Sequence, residues 1–310
     1  MISIVCPVHN GLEYTKRCLK SLSAAICNSR YEKEIDIILI DDGSTDGTSE
    51  WVRRNYPEIK ILKGDGNLWW SGAMNMGAKY ALKQGTEYIL VINNDNEFEE
   101  NYIEKLISFT KEKKYRIVGS RVLETGTNKV WSLGGYFNKR TGKYGTYKRP
   151  KERKSACYSV DWLPGMGTLI HKSVFEQIGF WDEKDFPQYY GDTDFMVRAR
   201  ENGIDVYVYQ ECRIWNDAGN TGMHHHGSLA NLIKSLYSNK SHNNIVVTVK
   251  FLKRHCTSYM GIIRSLLSKY GRYIGGFFKH KIIDMQRKVW MSVNLASLRK
   301  RGEKRFLKMY

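Results

Sequence analysis

Over the first hundred residues, short apolar runs at 2–8, 35–40, 59–62 and 88–92 alternate with stretches of helical period. Runs this short, apolar at most positions and rich in β-branched residues, predict strands buried on both faces, as in a parallel sheet. Between them, 12–25 carries apolar residues at helical spacing, 48–55 follows the turn Asp-Gly-Ser-Thr-Asp-Gly, and 72–84 is helical until Gly85 stops it. The predicted order is β-α-β-α-β-α-β. In open sheets of this kind a ligand sits beyond the carboxyl ends of the strands, so the residues just after each run are the candidates for chemistry.

From about residue 115 the pattern is more mixed. Gly134-Gly135 and a polar run at 138–155 precede 160–170, which reads as a strand interrupted by a Pro-Gly turn; 192–203 is helical in period and 206–209 is a further strand. After Gly227 the chain reads as helical, with apolar residues interleaved among Lys and Arg, and no internal repeat is present. The expected organisation is an α/β domain over 1–230, divided at about residue 97, and a basic helical region over 231–310.

Composition narrows the class. The 310 residues are 42% hydrophobic and 13% aromatic, enough for a folded core, and no stretch reaches the roughly 18 apolar residues of a membrane span. The N-terminus shows neither a basic leader nor a cleavage site after a hydrophobic run, and the six cysteines include no C-x-x-C pair. A reduced, cytoplasmic protein is expected. The net charge of +17 is concentrated at one end: residues 250–310 hold 16 Lys or Arg against Asp284 and Glu303. With apolar residues between the cations, that tail suits either an amphipathic helix on an anionic membrane surface or a packed helical subdomain with solvated cations. Charge by itself also admits RNA or DNA.

Four segments at strand ends carry candidate chemistry. Cys6-Pro7-Val8-His9-Asn10 ends the first strand, with His9 suited to stack on or hydrogen-bond a base; a plain strand-to-helix turn is the alternative. Ile40-Asp41-Asp42-Gly43-Ser44-Thr45-Asp46-Gly47 puts carboxylates at the sheet edge, where a ribose or base N–H can bind, although Ser, Thr and Asp there also serve as a turn and helix cap. The segment 65–77, with Gly66, Asn67, Trp70 and Asn75, runs into a helix N-terminus and suits a diphosphate. It matches neither G-x-G-x-x-G nor a P-loop, which argues against NAD enzymes and P-loop NTPases. Asn93-Asn94-Asp95-Asn96 ends an apolar strand in oxygen ligands that hard Mg²⁺ or Mn²⁺ accepts; a polar turn is its alternative.

In this order and spacing the four segments resemble the family 2 glycosyltransferases of the GT-A fold. The likeness continues through Gly165-Met166-Gly167-Thr168, Gly179-Phe180-Trp181-Asp182-Glu183 and Tyr190-Gly191-Asp192-Thr193-Asp194 with Arg198, and covers most of 1–216. The Asn-Leu-Trp-Trp-Ser-Gly-Ala-Met-Asn stretch looks like the rhamnosyltransferase-type enzymes of surface polysaccharide assembly. The resemblance implies a nucleotide-sugar half over 1–97 and an acceptor half over 98–230. It implies donor contacts from Pro7, His9, Asn10, Asp42, Gly66, Asn67, Trp70, Asn75 and Asn94, and a divalent cation, Mn²⁺ or Mg²⁺, on Asp95. Acceptor contacts are implied at Trp162, Gly165, Trp181, Asp182 and Asp194, with Asp192 as the general base of an inverting displacement. The macrodipole at a helix start is expected to hold Asp192 ionised.

Three positions depart from the family pattern: Asn94 stands for Asp, Gly191 for Glu, and Asn216 for a metal-binding His, for which His224 in the run 224–226 is the expected substitute. Expected partners are a UDP, dTDP or GDP sugar, a glycan or lipid-linked glycan acceptor, and an anionic membrane surface reached by 250–310 from the cytoplasmic face. A sugar nucleotidyltransferase would need a Gly-rich N-terminal loop, which 1–15 lacks. A basic nucleic-acid-binding protein leaves the paired Asp at 41–42 and Asp192 without a purpose, and a non-catalytic family member is the remaining alternative.

Overall fold

The computed structural model of the chain describes residues 1–149, 155–217 and 228–306, with backbone alone at 288, 289 and from 291 onward. The first half follows the expected series: β1 (Ile2–Val8), α1 (Leu12–Cys27), β2 (Ile35–Asp41), α2 (Thr48–Asn55), β3 (Lys60–Lys63), α3 (Trp69–Lys83) and β4 (Tyr88–Val91). These strands pair in parallel in the order β3-β2-β1-β4. β1 is buried along nearly its whole length: Ile2, Ile4, Cys6 and Val8 enter the core beneath α1, and Val5 enters the core beneath α3. That two-sided burial is why the strand reads as a continuous apolar run.

The second half completes the sheet. β5 (Asn96–Phe98), α4 (Tyr102–Lys113), β6 (Ile117–Glu124) and β7 (Val130–Ser132) precede the separate hairpin of β8 (Gly135–Phe137) and β9 (Tyr144–Thr146). Then come β10 (Cys157–Ser159), β11 (Thr168–His171), α5 (Lys172–Ile178), α6 (Gly191–Glu201) and β12 (Tyr207–Asn216). Of the strand expected over 160–170 only the end forms, as the start of β11, because Trp162 to Gly167 follow an irregular path set by Pro164 and by Gly167 at φ +63°. β11 runs antiparallel between β4 and β6, while β12 lies parallel to β6. The carboxyl ends of β1, β2, β3, β4 and β12 therefore share one edge with the start of β11.

The C-terminal helices α7 (Leu229–Tyr237), α8 (Ile245–His255) and α9 (Tyr259–Phe306) divide the basic tail in two. Phe251 and Leu252 of α8 are fully buried with Phe137, Phe186 and Val197, and Ile262 and Leu266 of α9 pack against them. Ion pairs fasten the same helix: Arg254 reaches Asp182 (2.8 Å), Asp185 (2.7 Å) and Asp194 (3.0 Å), and Lys250 reaches Asp185 (2.8 Å). Beyond Phe277, itself 1% exposed, α9 turns large apolar side chains outward: Phe278, Ile282, Met285 and Trp290 are each more than half exposed. No described helix is long and apolar enough to cross a membrane.

If α8 belongs to the core, Phe251→Ala should destabilise the α/β domain itself by about 3–5 kcal/mol. Denaturation would stay a single transition with a lowered midpoint; a second transition separating 229–277 from the sheet would contradict this.

Candidate functional site

Along the shared edge, β1 ends in a small lattice of hydrogen bonds. Asn10 sits at φ +48°, where its side chain accepts from Thr45 N (2.8 Å) and its own N–H donates to Ser44 Oγ (3.0 Å). His9 Nδ1 lies 2.5 Å from the Asp42 carbonyl. A carbonyl only accepts, so Nδ1 carries the proton and Nε2 accepts from Asn10 Nδ2 (3.2 Å). His9 and Asn10 are exposed, presenting a fixed ring and amide at the rim beside the exposed Gly66 and Asn67.

The paired aspartates divide their work. Asp41 is fully buried and bonded to Lys63 Nζ (2.6 Å), Ser44 N (2.8 Å) and the Ser49 hydroxyl; burial works against its charge, but these partners bring its carboxyl down to about 2. Asp42 accepts from Gly66 N (2.8 Å) and Trp69 N (3.2 Å), so its carboxylate shapes the 64–69 loop. The α3 terminus differs from the open anion site expected of it. Trp69 N is held by Asp42, Trp70 N by Gln188 Oε1 (3.2 Å) and Ser71 N by the Pro187 carbonyl (2.8 Å), which leaves its first three amides already matched. Asn75, expected near the donor, is likewise buried: it bridges the Trp181 backbone (2.8 and 3.0 Å) and Glu183 Oε2 (2.7 Å), and so steadies the 181–183 loop.

After β4, Asn94 reaches back to Thr15 Oγ1 (3.2 Å) on α1, and Asn96 is fully buried. Asp95 stands between them. Burial, reinforced by the nearby Asp217 charge, pushes its carboxyl up to about 6. The amide of Asn216, at the end of β12, completes this corner, and with its nitrogen turned to the acid it donates to both Asp95 oxygens (3.1 and 3.2 Å). Position 216 thus meets Asp95 through a hydrogen bond, where a histidine would offer a ring nitrogen to a metal. The run containing His224 lies outside the described residues, and among those described no group of three or more His, Cys, Asp or Glu is arranged around a metal site.

Asp192 occupies the first turn of α6. Its carboxylate accepts from Gly165 N (3.1 Å), Thr193 N (2.7 Å) and Thr193 Oγ1 (3.2 Å). The helix start was expected to hold it ionised; burial works in the other direction, outweighing these donors and raising its pKa above the ordinary carboxylate value. Gly165 lies against the Trp70 ring, and Trp70 Nε1 donates to Asn93 Oδ1 (3.0 Å), so one indole spans from the Asp192 pocket to the turn bearing Asp95. The absence of the family's Glu at 191 has a steric reason here: a Cβ would fall 2.3 Å from Ser71 Oγ and 3.0 Å from the Phe186 carbonyl.

The other residues expected at the acceptor are mostly structural. Trp181 is 3% exposed and stacks on Phe195 (4.7 Å), and Trp162 is buried with its ring over Gly135. Asp182 pairs with Arg254. Asp194 is fully buried between Arg198 (2.8 Å), Arg254 (3.0 Å) and His255 (2.9 Å); burial would raise its pKa, but the His255 hydrogen bond and the Arg198 charge hold it below the usual range. Sequence reasoning placed Asn93 and Ser71 within candidate segments without giving either a role and passed over Gln188; all three hold site elements together. Asp217 was visible beside Asn216, with no signal of its proximity to Asp95.

A family model described as glycosyl transferase family 2 matches residues 3–179, more than half of the chain. The low-salt glycan biosynthesis hexosyltransferase Agl10 of Haloferax volcanii is 26% identical over 213 residues, covering 65% of this chain and 68% of that protein. An N-acetylglucosaminyl-diphospho-decaprenol L-rhamnosyltransferase of Mycobacterium tuberculosis is 24% identical over 264 residues, 76% of this chain and 83% of that one. Among solved structures, GalNAc-T7 with UDP, GalNAc and Mn²⁺ aligns with a TM-score of 0.57 at 14% identity, covering 87% of this chain and 57% of that one. Sheet order, edge motifs and these likenesses agree: the chain belongs to glycosyl transferase family 2, has the GT-A fold, and is similar to proteins named as hexosyl- and rhamnosyltransferases.

Proposed function

We propose that the chain transfers a single sugar from a nucleoside-diphosphate donor to a hydroxyl of a glycan or lipid-linked glycan, with inversion, during assembly of a surface polysaccharide. The observation that carries this reading is Asp192. Its carboxyl is raised by burial, oriented by the Gly165 and Thr193 amides, and tied through Trp70 and Asn93 to the turn that bears Asp95. A raised carboxyl is a better proton acceptor near neutral pH than an ordinary one. The acceptor hydroxyl gives its proton to Asp192 as its oxygen attacks the anomeric carbon, and the bond from that carbon to the diphosphate breaks. A direct displacement inverts the centre.

Pro7, His9 and Asn10 form the surface offered to the nucleoside, with Gly66 and Asn67 across the rim. UDP, dTDP and GDP remain the candidate donors. For the cation, the local chemistry fits oxygen donors: the Asp217 charge lies close enough to disfavour that of Asp95, and Asn216 contributes only an amide. Asp95 and Asp217 would hold Mg²⁺ or Mn²⁺, leaving its other positions to diphosphate oxygens. Such a cation stabilises negative charge on the departing diphosphate. The relative whose name includes a diphospho-decaprenol acceptor supports a lipid-linked acceptor here as well, and the outward apolar residues of α9 among basic ones support a peripheral place at the cytoplasmic face of a membrane.

Among UDP, dTDP and GDP, one should raise the melting temperature by a few degrees at about 100-fold its Kd, and only with Mn²⁺ or Mg²⁺ present. Asp95→Ala should remove that metal dependence. Because the metal-competent form is the carboxylate, the shift should fade as pH drops through about 6, where Asp95 takes up its proton. A shift independent of metal and of Asp95 would count against the site. Asp192→Asn should lower transfer by about 10²- to 10⁴-fold with donor affinity retained; full transfer by the folded variant would remove the base assignment. Deleting 278–310 should weaken sedimentation with anionic liposomes on the order of tenfold or more, and unchanged binding would remove the membrane role.

A further inference from the structure

Tyr190, the residue that leads into α6, stands in the left-handed region at φ +68°. Glycine adopts that conformation freely and asparagine tolerates it, whereas a tyrosine there needs outside support. Three other parts of the chain supply it. The Tyr190 hydroxyl meets Lys269 Nζ of α9 at 2.9 Å, Thr248 Oγ1 of α8 at 3.3 Å and the hydroxyl of Tyr144 on β9, while its ring lies 4.9 Å from that of Phe251. Lys269 also donates to the His242 carbonyl (2.9 Å) and to Thr248 Oγ1 (3.0 Å), so its nitrogen faces three oxygens. The same nitrogen stands over the rings of Tyr144, Tyr190 and Tyr270 at 5.2 to 5.9 Å.

The Tyr190 carbonyl accepts the N–H of Asp194 (2.7 Å), the bond that opens α6, so the peptide leaving Tyr190 sets the direction in which Asp192 emerges. The next residue has no slack, because Gly191 already lies against Ser71 and the Phe186 carbonyl. We infer that Lys269, more than 75 residues along the chain from the base, is a positioning residue for Asp192: by clamping the Tyr190 hydroxyl it holds the left-handed turn that aims the carboxylate at the Gly165 amide. Residues 245–277 are then part of the catalytic apparatus. The inference rests on the reading of Asp192 as base.

The test is a double-mutant cycle on transfer by the full chain, with Asp192→Asn measured in parallel. Lys269→Met should lower kcat roughly tenfold and leave the donor KM within about twofold, since the donor-side rim is untouched. Tyr190→Gly should keep about a third or more of kcat, because glycine takes this φ without a clamp. In that background Lys269→Met should cost less than about twofold, the turn no longer needing the ammonium. Equal losses in both backgrounds, an unchanged kcat in Lys269→Met, or an inactive Tyr190→Gly would each overturn the inference. Should Lys269→Met not fold, Tyr144→Phe removes another partner of the same hydroxyl and should show the same dependence on the residue at 190. An inactive Asp192→Asn beside a fully active Lys269→Met would defeat this inference alone; an active Asp192→Asn would defeat the base assignment beneath it.

Discussion

The indole of Trp70 lies so close to the bare backbone of Gly165 that a methyl group there would fall 2.1 Å from Cζ2. From that contact the site acquires its dimensions. One side of Gly165 is the ring; its N–H, on the other, donates to Asp192. The indole N–H reaches Asn93, two residues before Asp95. A rigid planar side chain therefore spaces the carboxylate proposed to accept a proton from the turn proposed to face the diphosphate. The ring is itself fixed, because α3 begins among protein acceptors from Asp42, Gln188 and Pro187. Helix-terminal amides that would otherwise be free to bind an anion here serve to join the two halves of the sheet edge.

The C-terminal helices extend the same logic. α8 brings Lys250, Arg254 and His255 against Asp182, Asp185 and Asp194, all within or next to the loop that leads into α6. Part of the chain's excess positive charge is thus internal to the fold, paired with the buried Asp194 and the half-buried Asp182 and Asp185. The rest lies farther out along α9, where apolar side chains are exposed and the sequence from 278 on has ten Lys or Arg against Asp284 and Glu303. One region of sequence, uniform in composition, serves two physical purposes.

Elements whose cause is local were legible in the sequence. The strands of the first half follow from β-branched runs, and α2 from the turn before it, where the Asp46 carboxylate accepts from Thr48 N; the edge motifs fell where strand ends must lie. What escaped were consequences of distant approach. Asp194 and Asp182 resemble site carboxylates in sequence, and Arg254 on α8, sixty or more residues away, turns them into structural anchors, with Arg198 beside Asp194. Gly191 reads as a missing glutamate until Ser71 is seen to fill the space. The raised pKa of Asp192 runs against the helix-dipole effect because burial outweighs it, and the burial of a side chain packed near Gly165 and Trp70 is contained in no window of sequence.

The proposed reaction is a single displacement at the sugar, with one carboxylate, Asp192, opposite the leaving diphosphate and no covalent sugar intermediate. Its most direct test is the anomeric configuration of the transferred sugar, read by proton NMR on the product formed from a donor of known configuration. The account predicts the opposite configuration in product and donor. Retention would contradict it, because a retained centre requires either a second nucleophile or a departure and attack on the same face, and Asp192 would then have been given the wrong role.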